Sequence, residues 1–295
     1  MRNLKFYLYA LRPQQWVKNL ILFLPLIFDR KLLVFPENFN TVLAFILFSA
    51  AASSVYLVND VIDAAKDKFH PTKRLRPIAS GKLEKKRAFI FAIFLGSISL
   101  LLSFYLSMIF GALVLAYLAF NLLYSKLLKS IVIIDVFCLV AFFLIRILAG
   151  GVVAQVALSH WIIAMTALLA LFLGFNKRRQ ELQMLQHHAD SHRHVLRQYN
   201  AYFIDQMVAV ITSSLVMAYL LYTVDSRTVS KIGSQNLLLT VPFVYYGIFR
   251  YLYLVHKVRR DGDPTRMLLN DRMMQLDVFL WIVVCLAVIY FKFSF

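Results

Sequence analysis

The chain has 295 residues, 61% of them hydrophobic, and 32 Lys and Arg against 15 Asp and Glu, a formal net charge of +17. Soluble domains run at about 45–50% apolar, so this composition excludes a water-soluble enzyme and describes an integral membrane protein. Apolar runs of ~20 residues are long enough to cross a bilayer as helices, and they lack the alternation of transmembrane barrel strands.

The N-terminal stretch MRNLKFYLYALRP has no apolar core or cleavage site of a signal peptide. Residues 1–14 predict a short basic amphipathic helix lying on the membrane surface. Nine spans follow, near 16–34, 41–63, 87–107, 109–126, 131–150, 158–180, 203–223, 237–256 and 275–293. No internal repeat, low-complexity tract or linker divides them, so residues 1–295 read as a single transmembrane domain. Lys and Arg cluster in the loops after spans two, four, six and eight, at 66–87, Lys126/Lys129, Lys177–Arg197 and Lys257–Arg272. The positive-inside rule then places the N-terminus and these loops in the cytoplasm and the C-terminus outside. The remaining positive excess suits anionic lipid or phosphorylated ligands. Basic residues confined to short loops argue against nucleic acid as a partner. Cys138 and Cys285 both lie inside apolar runs, so no disulfide framework is indicated.

At the end of span two the chain reads NDVIDAAKDKFHPTKRLRPIASGK, from Asn59 to Lys82. If the helix continues, Asp60, Asp63 and Asp67 sit at i, i+3 and i+7 and project from one face. Three carboxylates on one face repel unless a cation sits among them, and hard oxygen ligands suit Mg²⁺ shared with substrate phosphates. Lys73, Arg74 and Arg76 follow at once, a basic loop beside the acids that suits a metal-bound pyrophosphate. A polar hairpin loop would explain the bases but not three acids in helical phase.

Ionisable groups inside spans need partners or a wet cavity, because a charge at the centre of a membrane helix costs ~2.5–3.5 kcal/mol on insertion scales. Lys18 and Asn19 enter span one; Tyr117, Asn121 and Tyr124 lie at i, i+4 and i+7 on span four; Tyr246, Arg250, Tyr253 and Lys257 form a stripe on span eight. Asp135 and Arg146, eleven residues apart on span five, return to within ~20° of one face. These stripes predict one central cavity open to the cytoplasm. Interhelical hydrogen bonding and snorkelling would account for some of them, Lys257 above all. The His-rich run from His187 to His194 matches no zinc spacing and reads as a solvated loop.

NDxxDxxxD followed by HPTKRxRPI resembles the first Asp-rich box of the UbiA-type intramembrane prenyltransferase superfamily. The HPTKRLRPIASG wording is similar to its decaprenyl-phosphate phosphoribosyltransferase branch. LRPQQWVKN, YSKLLKS with Asp135 after it, KRRQEL from Lys177 and NDRMMQLD match that branch too. The resemblance implies an all-α fold of about nine transmembrane helices in a bacterial-type inner membrane. It implies transfer of 5-phosphoribosyl from 5-phosphoribosyl-1-pyrophosphate to a polyprenyl phosphate, with Mg²⁺, in the synthesis of arabinan precursors for the cell wall. Asp60, Asp63 and Asp67 would hold Mg-pyrophosphate with Asn59 in support, and Asp135 would act beside them in catalysis. Lys73, Arg74 and Arg76 would clamp phosphates, with Lys18, Tyr124, Lys129, Arg146 and Arg250 as further substrate contacts. The chain departs from the superfamily after span six. A second Asp-rich box is usual there, yet here Glu181 stands among Lys177, Arg178 and Arg179. Direct Lys and Arg contacts suit a phosphate held without a second metal. An aromatic prenyltransferase of the same fold would want the missing box. A lipid or anion transporter would leave the acid triad unexplained and would show a matched pair of broken helices.

Overall fold

The N-terminal stretch forms a helix, α1 (Arg2–Leu11), which packs on the helix that follows the first span. It ends where Arg12 turns left-handed, at φ 53°, ahead of Pro13. The structure, a computed structural model, describes residues 2–69, 73–185, 196, 198–257 and 264–291. The His-rich run and residues 70–72 of the basic loop lie outside these.

Span one is not a plain α-helix. It is a 3₁₀ segment, Pro13–Phe23, followed by the short α2 (Leu24–Phe28). Pro25 sits at the head of α2, where its missing N–H interrupts the ladder of the preceding turn. At about 2.0 Å rise per 3₁₀ residue and 1.5 Å per α residue, the two pieces together reach roughly 30 Å, the thickness of a bilayer core. Among the described residues eight other segments are long and apolar enough to cross, a count consistent with the nine predicted spans. They are α3 (Glu37–Asp67), α4 (Lys85–Leu106), α5 (Met108–Lys126), α6 (Ile134–Val153), α7 (His160–Leu185), α8 (Ala201–Val224), α10 (Val241–Lys257, with a 3₁₀ turn before it) and α12 (Arg272–Phe291). Two short helices, α9 (Ser226–Ile232) and α11 (Pro264–Asn270), were not expected. Each has seven residues, too few for a periodic pattern to register.

From α3 to α8 each helix packs on the next in the chain, and α10 packs on α12. Lipid offers no hydrophobic drive between apolar helices, so small residues and interhelical hydrogen bonds take over. Ala51, Ala52, Ser53 and Ser54 of α3 are buried, as are Ala88, Ala92 and Gly96 of α4. Ser99 of α4 donates its hydroxyl to the Leu47 carbonyl of α3 at 2.7 Å. The outer faces of α4 and α5 expose Ile90, Ile93, Phe94, Leu101 and Leu115, a belt suited to lipid.

Helix α6 is central. Val136 belongs to a core built with α7, α8 and α10, whereas Cys138, Phe142 and Ala149 belong to one built with α3 and α5. The 3₁₀ crossing lies directly against α6. A Cβ at Gly150 would stand 2.4 Å from the Leu22 carbonyl oxygen, so only glycine permits this approach.

Candidate active site

The acid box forms as the helical phase requires. α3 continues through Asp67 before it stops, and its last two turns carry Asp60 and Asp67, both buried, with Asp63 half-buried between them. The carboxylates do not close on an open point. Arg76, brought back by the 3₁₀ turn Lys73–Leu75, places one nitrogen, Nη1, 3.0 Å from Asp60 Oδ1 and 2.6 Å from Asp67 Oδ2. Arg12 adds a second donor to the same Asp60 oxygen at 2.5 Å. Nothing local in the sequence marks Arg12 for this role, since no periodicity ties the N-terminal segment to the far end of α3.

The three acids share the end of α3, and the two most buried of them, Asp60 and Asp67, face Arg76. Among the described residues no three His, Cys, Asp or Glu converge as a metal cage. What exists is a two-carboxylate seat with a guanidinium nitrogen at its focus. That seat fits Mg²⁺, which is commonly held by one or two carboxylates, substrate phosphates and its own waters. A cation bound there would take the place of Arg76, whose guanidinium would then be free for a phosphate. Arg74, exposed, and Lys73, half-buried, flank it on the same turn.

A second cluster lies where the second acid box would be. Arg178 and Asp135 are both fully buried, with Arg178 Nε 2.6 Å from Asp135 Oδ2. Arg178 Nη1 also pairs with Glu181 one turn on. Nε meets Asp135 as an ion pair without a hydrogen bond, and Nη2 is buried with no hydrogen-bond partner at all. The Tyr199 hydroxyl donates to Asp135 Oδ1 at 2.7 Å and accepts the N–H of Ile133 at 2.7 Å. That bond holds Ile133 at φ 68°, a conformation a β-branched residue rarely takes, and so fixes the head of α6. Tyr199 carried no signal in the sequence. It follows a loop and belongs to no stripe. Lys177 lies half-buried beside Arg178.

The two clusters flank one end of α5. The Ser125 hydroxyl donates to Asn59 Oδ1 at 3.1 Å, and the adjacent Tyr124 is close enough to Arg178 to act on its charge. Lys129 sits half-buried on the next 3₁₀ turn, Leu128–Ser130.

Other predicted residues go elsewhere. Arg146 does not share a site with Asp135. Eleven residues at about 1.5 Å rise separate them by roughly 16 Å. Its guanidinium donates to Asn19 Oδ1 (2.7 Å), the Phe142 carbonyl (2.7 Å) and the Tyr117 hydroxyl (3.2 Å), with the Tyr117 and Phe48 rings at 4.9 and 5.2 Å. It ties the first crossing to α5 and α6. Lys18 donates to Gln15 Oε1 at 2.5 Å on the same segment. Arg250 is engaged at the junction of α10 and α12. It grips Asp271 with two nitrogens, at 3.2 and 2.8 Å, and stacks on Tyr253. Asp271 also caps α12 by accepting the Met274 N–H at 2.9 Å. The Arg250 hydrogen bonds hold the Asp271 carboxyl below its ordinary pKa.

A family model described as the UbiA prenyltransferase family matches residues 32–283. The chain belongs to the UbiA prenyltransferase family. Its similarity to curated relatives runs nearly end to end. It is 34% identical over 291 residues to a decaprenyl-phosphate phosphoribosyltransferase of Mycobacterium tuberculosis, covering 96% of this chain and 93% of that one. It is 32% identical to the protein of the same description from Corynebacterium glutamicum, covering 95% and 86%. Among solved structures, a UbiA homolog from Archaeoglobus fulgidus bound to GPP and Mg²⁺ superposes with a TM-score of 0.71 over 96% of this chain and 99% of that one, at 16% identity. That identity speaks for the UbiA fold alone.

Proposed function

We propose that this UbiA-family protein transfers 5-phosphoribose from phosphoribosyl pyrophosphate to the phosphate of a long polyprenyl lipid, releasing pyrophosphate. The observation that carries the reading is Arg178. At the position of a second acid box stands a fully buried arginine, anchored by Asp135 and Glu181, with one nitrogen left unpaired. A prenyl pyrophosphate concentrates its charge at one diphosphate and wants acids and metal on both sides. The phosphoribosyl donor carries a pyrophosphate and a separate monophosphate, and the acceptor adds another phosphate. One acid seat and one basic clamp match that distribution. The relatives described as phosphoribosyltransferases support the same choice.

Asp60 and Asp67, with Asp63 and Asn59 beside them, would hold Mg²⁺, which when bound offsets charge on the leaving pyrophosphate. Arg76, Arg74 and Lys73 grip its outer oxygens. Lys177 and Arg178 Nη2 hold a phosphate through charge-assisted hydrogen bonds, and Tyr124 borders that phosphate. The acceptor phosphate is already an anion, since its second pKa is ≈ 6, so no side chain need act as a strong base. Its oxygen forms the new bond to ribose C1 as the C1–O bond to pyrophosphate breaks and its electrons leave with pyrophosphate. Positive charge builds on the sugar in between, as in glycoside cleavage, and the carboxylates stabilise it. The test is substrate choice. The purified protein should label polyprenyl phosphate from phosphoribosyl pyrophosphate and should not prenylate an aromatic acid. The reverse result overturns the assignment. The same reading places the acid box and basic loops at the cytoplasmic face, where soluble phosphorylated sugars are found.

A further inference from the structure

A cavity of ≈ 450 Å³ lies at the opposite end of the helices from the acid box. Phe28 ends the first crossing there, Trp161 begins α7 and Tyr222 lies near the end of α8, and these rings with Pro25 form its apolar part. Phe28 and Tyr222 meet edge to face at 6.2 Å. The cavity also takes in Asp29, His160, Asp225, Arg227 and Lys231. His160, Arg227 and Lys231 are exposed, whereas Tyr222 is buried and Phe28 and Trp161 are half-buried. The arrangement is an aromatic interior with a charged mouth.

The walls are pinned. Lys31 Nζ donates to the carbonyls of Ala154 at 3.2 Å and Gln155 at 2.9 Å, clamping the end of the first crossing to the α6–α7 connection. Arg30 donates to the Ile232 carbonyl at the end of α9. Arg30 and Gln155 both hold positive φ, 59° and 51°. Such strained non-glycine residues gather at binding sites, where surrounding bonds offset their cost. The acids at the mouth are already engaged. Asp29 pairs with Lys231, and Asp225 caps α9 by accepting the Thr228 N–H at 3.1 Å. Among the described residues Arg227 is in no ion pair. The mouth therefore has a spare cation, and His160 lines the same cavity as a further donor.

We propose that this cavity binds one phosphate-headed lipid of the leaflet opposite the acid box. Its phosphate lies at Arg227 and His160, and the first part of its tail lies against Phe28, Trp161 and Tyr222. A soluble anion would leave the aromatic walls unused, and a neutral lipid would leave Arg227 unused. The site is separate from the proposed transfer chemistry and stands or falls apart from it.

Trp161 supplies the test. The full chain is reconstituted into phosphatidylcholine vesicles containing phosphatidylglycerol, with bromine on the acyl chains of one lipid or the other. The difference between the protein and Trp161→Phe isolates the Trp161 signal. Brominated phosphatidylglycerol should quench it roughly fivefold more effectively per mole than brominated phosphatidylcholine, as one basic contact near a membrane surface implies. Arg227→Glu should erase the preference and Arg227→Lys should keep it. Arg227 is exposed, so both variants should elute as the parent does. Displacement of phosphatidylglycerol by polyprenyl phosphate would support the class and name its member. Equal quenching by both lipids, or a preference unchanged in Arg227→Glu, overturns the proposal. Loss of the preference to inorganic phosphate alone overturns it as well, because the occupant would then be a free ion.

Discussion

Arg76 Nη1 between Asp60 and Asp67 is the contact on which the acid box turns. Two buried carboxylates facing one point need a cation, and the guanidinium supplies it. Asp60→Asn should nearly abolish phosphoribosyl transfer while the protein still inserts, and EDTA should abolish wild-type activity reversibly with Mg²⁺. Full turnover in chelator would mean that the arginine pairs are structural and no metal enters. Lys177 and Arg178 separate binding from folding. Lys177→Ala would remove the proposed contact to a phosphate, worth ~1.5–3 kcal/mol, so the Michaelis constant for one phosphorylated substrate should rise roughly ten- to a hundredfold. Arg178→Ala also strands the buried Asp135. Breaking one side of such a pair costs about 3–5 kcal/mol, so this variant should lose stability as well as activity. Arg178→Asp should be worse than Ala, because a third carboxylate then joins Asp135 and Glu181 and repels the phosphate.

Helices set these residues in place, and two of their contacts are checkable. Gly150→Ala puts a methyl group 2.4 Å from the Leu22 carbonyl oxygen. The first crossing must move off α6, and Arg146 with it, because Asn19 on that crossing accepts from Arg146. The variant should melt lower, and a normal melting curve would show that the crossing does not pack on α6. The Arg250–Asp271 pair joins α10 to the start of α12. The Asp271 pKa is depressed in the folded protein, so its contribution is present above the unfolded value, ~3.9. It fades as pH falls through the lower folded value. Asp271→Asn should therefore lower thermal stability at pH 7 and narrow the gap to wild type under strongly acid conditions. Element positions were readable because apolar length and charge spacing are properties of single segments. The 3₁₀ character of the first crossing was not, since Pro25 marks a break without saying which helix precedes it. Neither was the path of Arg146. Its helical phase matched Asp135, but the distance along the axis and the polar groups of the first crossing decided its partners.

Across the whole molecule, the acid box and the buried Arg178 cluster lie at one end of the bundle and the aromatic cavity at the other. The acid box was legible because helical phase puts Asp60, Asp63 and Asp67 on one face, and the basic second site because Lys177 and Arg178 stand where acids were expected. The pairing of Asp60 with Arg12, and of Asp135 with Arg178 and Tyr199, depends on segments far apart in the chain coming together, which no local pattern encodes. Substrate choice ties these features together. The purified protein in vesicles with Mg²⁺, radiolabelled phosphoribosyl pyrophosphate and polyprenyl phosphate should move label into the lipid phase and release one pyrophosphate per transfer. No label in lipid, together with prenylation of an aromatic acid when prenyl pyrophosphate is supplied, would contradict it.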